Sequence, residues 1–159
     1  MLAEQVKAKF PGDVTGVLDQ QGDPLVYLER ESVLKVMQAL KTGPEFQFDM
    51  LMDLFAIDYL HWEEKALRFE VVYNLYSSSK HHRLFVKVGV PEKDASLDSV
   101  TALWPAANWY EREAWDMFGV SFNGHPNLKR ILMYEEFKGH ALRKDYPYNK
   151  RQPLIGPLN

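Results

Sequence analysis

Two neighbouring segments rich in β-branched and aromatic residues constrain the fold of this chain more than any other feature of its sequence. They read ALRFEVVYNLYS, residues 66–77, and HRLFVKVGV, residues 82–90. Valine, phenylalanine and tyrosine favour the pleated, half-buried surface of a sheet, and the polar stretch SSSKHH between the apolar parts is typical of a turn. The pattern predicts a hairpin that forms part of a larger sheet.

The segments before this hairpin predict two helices and further strands. Residues 2–10 and 30–44 carry apolar residues at helical spacing, and each ends at a glycine or proline breaker. Residues 14–29 contain two strand-like runs joined by the turn QGDP. Residues 48–60 fit either a short helix followed by a strand or one bent strand.

After the hairpin, residues 91–105 are expected to contain a short helix, and a second helix is expected to end before Gly119. The order α-β-β-α-β-β-β, followed by a helix and a tail, predicts an α+β two-layer domain. Its mixed sheet should carry helices on one face. We predict one domain over residues 1–137 and an extended basic C-terminal tail over residues 138–159 that docks on a partner.

Composition excludes several kinds of site. The chain of 159 residues contains no cysteine, so it offers no disulfide, no thiolate-held iron–sulfur cluster and no cysteine-type zinc site. The glycine patterns that hold nucleotide phosphates are also missing. The longest apolar stretch, MLMDLFAI from Met50, is far shorter than the roughly 20 residues of a membrane span.

The charge is distributed unevenly along the chain. Residues 1–128 contain 12 lysines and arginines against 19 aspartates and glutamates, a net charge of −7, whereas residues 129–159 contain 7 against 3, a net charge of +4. Such a basic segment indicates either docking on an acidic partner or folding back onto the acidic body. Nucleic acid is a poor candidate partner because the sequence pI is near 5.9.

The helix WYEREAWDMF, residues 109–118, mixes three acids with four aromatic residues. Helical geometry places Arg112 and Asp116 opposite the apolar arc, four residues apart, where they can form an ion pair. Glu111 lies at the edge of that arc, and its partly desolvated carboxylate needs either a cation or several hydrogen-bond donors. The candidate cations for Glu111 are Arg130, Arg143 and Lys144.

Two interpretations of this helix remain open from the residues alone. Glu111 or Glu113 could be a general acid or base, although no nucleophile with a base and an orienting group accompanies them. Alternatively, the carboxylates form structural ion pairs, and Trp109 and Trp115 contribute to a protein interface, where tryptophan is enriched. The histidines lack metal-ligand spacing, so His125 is interpreted as a turn residue that bonds to the backbone.

The segment EREAWDMFGVSFNGHPNLKRIL, residues 111–132, strongly resembles the signature of a protein family, the 30-kDa subunit (or C subunit) of proton-pumping NADH:quinone oxidoreductase, respiratory complex I. GHALRKDYP, residues 139–147, is similar to a second block of that family, with Ala141 where the family usually has proline. The resemblance extends over the whole chain in length and element order.

The resemblance implies a non-catalytic subunit of the peripheral arm, on the cytoplasmic side of the inner membrane, that supports electron transfer from NADH to quinone. It implies no cofactor in this chain, since flavin, iron–sulfur clusters and quinone belong to partner subunits. The implied partners are the quinone-site subunit and cluster-bearing subunits. Plastoquinone-reducing complexes and membrane-bound nickel–iron hydrogenases contain similar subunits and are the alternative. The residues expected at partner interfaces or in structural ion pairs are Trp109, Glu111, Arg112, Glu113, Trp115, Asp116, His125, Arg130, Arg143, Lys144 and Asp145.

Overall fold

The computed structural model describes residues 1–153, which form a five-stranded mixed sheet with helices on one face. The three α-helices are α1 (Leu2–Lys9), α2 (Val33–Thr42) and α3 (Ala107–Phe118). The strands are β1 (Val14–Gln20), β2 (Asp23–Leu28), β3 (Met50–Asp58), β4 (Phe69–Ser77), β5 (His82–Val90), β6 (Ser96–Asp98) and β7 (Ser121–Asn123). The predicted α+β class and element order are confirmed.

The sheet is built around the predicted hairpin of β4 and β5. Its strand order is β1-β2-β5-β4-β3, in which β2 and β5 run parallel and the other neighbours are antiparallel. Because β2 pairs with β5, the β1–β2 hairpin lies beside the β4–β5 hairpin, and β3 forms the far edge of the sheet. The two short strands β6 and β7 pair in parallel in a separate small sheet.

The hydrophobic core lies between one face of this sheet and the helices. Alternate residues of β4, Val71, Tyr73 and Leu75, point to this face and join one cluster with Met37 of α2 and Ala114 of α3. None of the five is more than 3% exposed, so their packing provides much of the hydrophobic stabilisation of the fold. Within residues 1–153, the opposite face of the sheet carries no helix.

The structure resolves two segments that the sequence left ambiguous or misassigned. Residues 48–60 contain the single strand β3 (Met50–Asp58), whose register shifts between Leu51 and Asp53. The short helix expected in residues 91–105 is only one 3-10 turn at Glu92–Asp94, followed by β6. Strand β6 was not predicted because its pairing partner β7 lies more than twenty residues further along the chain.

The C-terminal segment contains neither helix nor strand within residues 138–153. The division between a domain of residues 1–137 and a tail of residues 138–159 stays a prediction, and its last part, residues 154–159, lies outside the described residues. Over residues 1–153, the structure contains no helix that is long and apolar enough to cross a membrane.

Candidate partner-binding site

Asp116, on the last turn of α3, is the centre of a polar hub that holds the segment after β7 against the helix. Its Oδ1 accepts a hydrogen bond of 2.7 Å from Nη1 of Arg130. Its Oδ2 accepts three backbone N–H bonds, at 3.0, 2.8 and 2.9 Å, from Ile131, Leu132 and Met133. The carboxylate thus binds four donors and fixes the conformation of this loop.

The burial of Asp116 contradicts its expected place on the solvent-facing side of the helix, because its side chain is fully buried. Burial raises the pKa of this carboxyl, but the hydrogen bonds from Met133 and Arg130 outweigh it and hold the pKa below its usual range. Such a carboxylate stays ionised at neutral pH. Asp116 is therefore a structural anchor whose charge is already compensated within the chain.

Arg112 does not pair with Asp116, which corrects the ion pair expected from their spacing. Its Nε donates to the carbonyl oxygen of Lys129 at 3.0 Å and its Nη2 to that of Arg130 at 2.7 Å. Its guanidinium lies 5.2 Å from the ring centre of Trp109. Arg112 therefore also binds the loop after β7. Together, Arg112 and Arg130 hold this loop against α3.

Glu111 is also fully buried, but the three predicted cations are not its partners. Its Oε2 accepts a hydrogen bond from the Ser99 hydroxyl at 2.7 Å, and its Oε1 accepts one from the Val100 N–H at 2.8 Å. Burial raises the pKa of Glu111 to about 7, although the bonds from Ser99 and Val100 partly oppose this rise. The residue joins α3 to the loop after β6, and it has no counter-charge among residues 1–153.

The two carboxylates considered as possible catalytic groups have different surroundings. Glu111 is enclosed in the core, next to the buried Tyr73, whose hydroxyl has no hydrogen-bond partner among the described residues. Glu113 is exposed on the outer surface of α3 and makes no side-chain ion pair within residues 1–153. The two carboxylates therefore differ in access, since Glu111 is closed off from solvent and Glu113 is open to it.

The second signature block, residues 139–147, caps the C-terminus of α3. Nδ1 of His140 lies 3.0 Å from the carbonyl oxygen of Asp116, and the Leu142 N–H donates to the carbonyl oxygen of Met117 at 3.0 Å. The His140 ring also contacts Trp115 edge-on, with ring centres 6.0 Å apart. Gly119 adopts a left-handed φ of +82°, and a Cβ there would lie 2.8 Å from His140. The block therefore satisfies carbonyl groups that the helix leaves open.

Residues further along the same block are tied to the end of the main sheet. Asp58, at the end of β3, binds Arg68 through two bonds of 3.0 Å and accepts the Lys144 N–H at 2.9 Å. Arg143 binds Asp145 through two bonds of 2.9 and 2.8 Å. Arg68 also lies 3.0 Å from Asp145, which joins the two pairs into one network. The basic segment thus folds back onto the body at this point.

Residues 26–152 match the protein family described as the 30 Kd subunit of respiratory-chain NADH dehydrogenase. The chain belongs to this family. A relative from Geobacter sulfurreducens, named as the C subunit of NADH-quinone oxidoreductase, is 43% identical over 98% of this chain and 94% of its own length. A relative from Nitrosospira multiformis, named as a C/D subunit of NADH-quinone oxidoreductase, is 43% identical over 91% of this chain and 26% of its own length.

Solved structures agree with this assignment. The trypsin-resistant fragment 1–134 of Nqo5 superposes with a TM-score of 0.70 at 37% identity, and the match covers 80% of this chain and 96% of the fragment. An archaeal membrane-bound sulfane sulfur reductase contains a chain that superposes with a TM-score of 0.75 at 21% identity, covering 93% of this chain and 85% of that one. The second likeness concerns the fold alone.

In this chain the two signature blocks meet at the end of α3, and the second block also reaches Asp58. Sequence reasoning missed Asp58, Arg68 and Ser99, which complete the networks. The sequence did contain a signal for Asp58 and Arg68, because each is a charged residue among apolar residues, in FAIDYL and ALRFE. A charge in such surroundings is expected to be buried and to need a partner. His125 bonds to the backbone as predicted, since its Nε2 lies 3.1 Å from the carbonyl oxygen of Asn108.

One part of the signature region faces outward. Trp109 is 61% exposed and Leu132 is 56% exposed, whereas Trp115 is half-buried against His140. Large exposed apolar side chains beside an arginine are typical of a protein interface, in which tryptophan and arginine supply much of the binding energy. We call Trp109, Arg112 and Leu132 the α3 patch. Whether the predicted site residues contact partner subunits stays a prediction.

Proposed function

We propose that this chain is the C-type subunit of an NADH:quinone oxidoreductase and that its own role is structural. One observation carries the structural role. The buried carboxylates of the signature, Glu111 and Asp116, bind donors of their own chain, and the exposed Trp109 and Leu132 of the α3 patch are left for a partner. The chain then supports electron transfer from NADH to quinone by holding neighbouring subunits together.

The cofactors of the reaction belong, in this proposal, to partner subunits. The sequence contains no cysteine, the residue on which iron–sulfur clusters chiefly depend. Within residues 1–153, no group of three or more histidines, aspartates and glutamates is placed to hold a metal ion. We therefore assign the iron–sulfur clusters to neighbouring subunits, and the resemblance to the family assigns flavin and quinone to them as well.

The proposed partners lie in the same peripheral arm, on the cytoplasmic side of the inner membrane. The relative from Nitrosospira multiformis carries both the C and D designations on one chain, and this chain spans about a quarter of it. Such a fusion supports a C-type subunit that packs directly against a D-type subunit. We propose that this D-type partner is the quinone-site subunit. Cluster-bearing subunits make further contacts with this chain. The names of the relatives do not favour a plastoquinone-reducing complex or a hydrogenase.

The direct test is to recover a tagged chain gently from native membranes and to identify the proteins that accompany it. Recovery in a large complex with NADH:quinone activity, flavin and iron–sulfur signals is the expected result. The isolated chain should show no NADH oxidation. Recovery of the chain alone, or turnover by the isolated chain, would contradict the proposal.

Removing the exposed tryptophan of the α3 patch should weaken assembly without weakening the fold. Trp109→Ala is expected to lower the recovery of the complex at least several-fold, since an interface tryptophan often contributes about 2 kcal/mol or more to binding. The stability of the isolated chain should change by less than about 0.5 kcal/mol, because Trp109 is mostly exposed.

Trp62→Ala is the matched control for this prediction. Trp62 is 54% exposed, and so resembles Trp109, but lies between β3 and β4, where it contacts Tyr59 edge-on. Its removal should leave assembly unchanged. Equal effects of the two substitutions on recovery, or a large fall in the melting temperature of Trp109→Ala, would argue against the α3 patch as an interface.

A further inference from the structure

The face of the main sheet that carries no helix within residues 1–153 has a charged half and an apolar half. Side chains alternate along a strand, so the neighbours of the core residues Val26 and Val71 point to this face. The strand register places Tyr27, Lys87 and Val72 side by side in one row across β2, β5 and β4. We call this surface the open face and define it by Leu25, Tyr27, Glu70, Val72, Phe85 and Lys87.

Glu70 is the centre of the charged half, and its side chain is only 6% exposed. It accepts hydrogen bonds of 3.0 Å from Lys65 Nζ and from the Tyr59 hydroxyl, and Lys87 Nζ lies 3.2 Å away. Two ammonium groups therefore share one carboxylate, and each has three N–H donors. In the part of the chain that the structure describes, neither lysine lies within 4 Å of a second acid. This half keeps one positive charge and several donors that Glu70 does not use.

Two cavities open on this face, and Lys87 lines both of them. The first, of about 450 Å³, belongs to the charged half and includes the ring of Tyr27. The second, of about 410 Å³, is lined mainly by the apolar side chains of Leu25, Phe55, Ile57, Val72 and Phe85. Phe55 is 40% exposed, whereas Leu25 and Val72 are buried without belonging to the core cluster. An apolar cavity beside a few convergent polar groups is typical of a small-molecule site.

The other acids that line the two cavities are all at exposed positions. They are Asp23, Glu29 and Glu31, and Glu31 lies 3.2 Å from Arg30, with which it pairs. Water and salt screen charges at such positions, whereas charges around the buried Glu70 are screened much less. The inner donors of Lys65 and Lys87 therefore determine which head group the open face favours.

We propose that the open face binds a carboxylate with a single aliphatic chain, a ligand of the fatty-acid class. Its head group accepts the unused donors of Lys65 and Lys87 in charge-assisted hydrogen bonds. Its chain lies along the second cavity, over Leu25, Val72 and Phe85, where each buried CH₂ group strengthens binding about threefold. Lys87 lies between the two halves, so one molecule contacts both. This inference is independent of the role of the chain in an oxidoreductase complex.

Titration of the full chain with octanoate, followed through its amide NMR signals, tests the inference. We expect saturable binding below the concentration at which octanoate forms micelles, with the largest shifts in residues 25–27, 70–72 and 85–87. Butyrate, which has a shorter chain, and octanamide, which lacks the charge, should each bind at least about tenfold more weakly. Absence of saturable binding, shifts confined to other residues, or equal binding of octanoate and octanamide would overturn the inference.

Substitution of the lysines locates the head group. Lys87→Gln should weaken octanoate binding at least about fivefold, because it removes a charge that both cavities share. Its amide can still donate to Glu70, and Lys65→Gln provides a second test at a less buried position. The control, Lys80→Gln, makes an equal charge change at an exposed residue between β4 and β5 and should bind octanoate as wild type does. Wild-type affinity in a folded Lys87→Gln or Lys65→Gln chain would contradict the assignment.

Sedimentation with phosphatidylglycerol vesicles distinguishes a free carboxylate from a membrane surface. The wild-type chain should stay in the supernatant, because the open face has one apolar cavity beside its lysines. Sedimentation of the wild-type chain that Lys87→Gln abolishes would make an anionic membrane the occupant and would overturn the inference.

Discussion

Asp116→Asn should release the segment that follows β7 from helix α3 and abolish stable assembly. The amide replaces one carboxylate oxygen with a donor, which then faces donors from Arg130 or from the backbone of residues 131–133. Breaking a buried ion pair on one side typically costs about 3–5 kcal/mol. We expect a loss of this size in the free energy of unfolding measured by urea denaturation.

Hydrogen exchange distinguishes local release from global unfolding in this variant. The amides of Ile131, Leu132 and Met133 should lose their protection, because their acceptor is Oδ2 of Asp116. Glu113→Gln is the matched control, since Glu113 is an exposed carboxylate on the same helix. It should change the stability of the isolated chain by less than about 0.5 kcal/mol. Wild-type protection and stability in Asp116→Asn would show that the polar hub is not a structural anchor.

Glu111→Gln should stabilise the chain strongly above neutral pH and by less than about 1 kcal/mol near pH 5. In the folded chain the pKa of Glu111 is raised from 4.5 to about 7, so its neutral form is the one that folding favours. Wild-type protein therefore loses stability as pH rises from about 4.5 to about 7, and the loss is complete above that range. At about 1.4 kcal/mol per pH unit, the difference between the two proteins approaches roughly 3 kcal/mol at about pH 8.

The amide of glutamine can reproduce both hydrogen bonds of a neutral Glu111. Its oxygen accepts the Val100 N–H, and its nitrogen donates to Ser99 Oγ, whose own proton can turn to Thr101 Oγ1 at 2.8 Å. Glu111→Ala lacks both groups and leaves a cavity, so it should lose about 2–4 kcal/mol at every pH. Urea denaturation of the three proteins between about pH 5 and pH 8 measures the difference.

The same substitution separates the structural role of Glu111 from a catalytic one. A general acid or base cannot be replaced by an amide without a severe loss of rate. We expect the complex that contains Glu111→Gln to retain NADH:quinone activity. Loss of activity in a fully assembled complex, or a stability difference that does not change with pH, would refute the assignment of Glu111 as a neutral structural acid.

The sequence alone determined the features that depend on neighbouring residues. The apolar pattern of residues 66–90 predicted the β4–β5 hairpin, and Gly119 marked the end of α3. The absence of cysteine limited the possible sites, and the two signature blocks indicated the family. Such signals are reliable because backbone conformation and side-chain periodicity are set within a few residues.

The tertiary structure alone decided which charged groups meet. Helical spacing favoured a pair between Arg112 and Asp116, but an exposed pair of this kind contributes only a few tenths of a kcal/mol. The loop after β7 instead returns to α3 and offers Asp116 four donors, so the local pair is not formed. Likewise, the Lys144 N–H reaches Asp58 across 86 residues of sequence. Partners at such separations are fixed by the path of the packed chain, which no local pattern encodes.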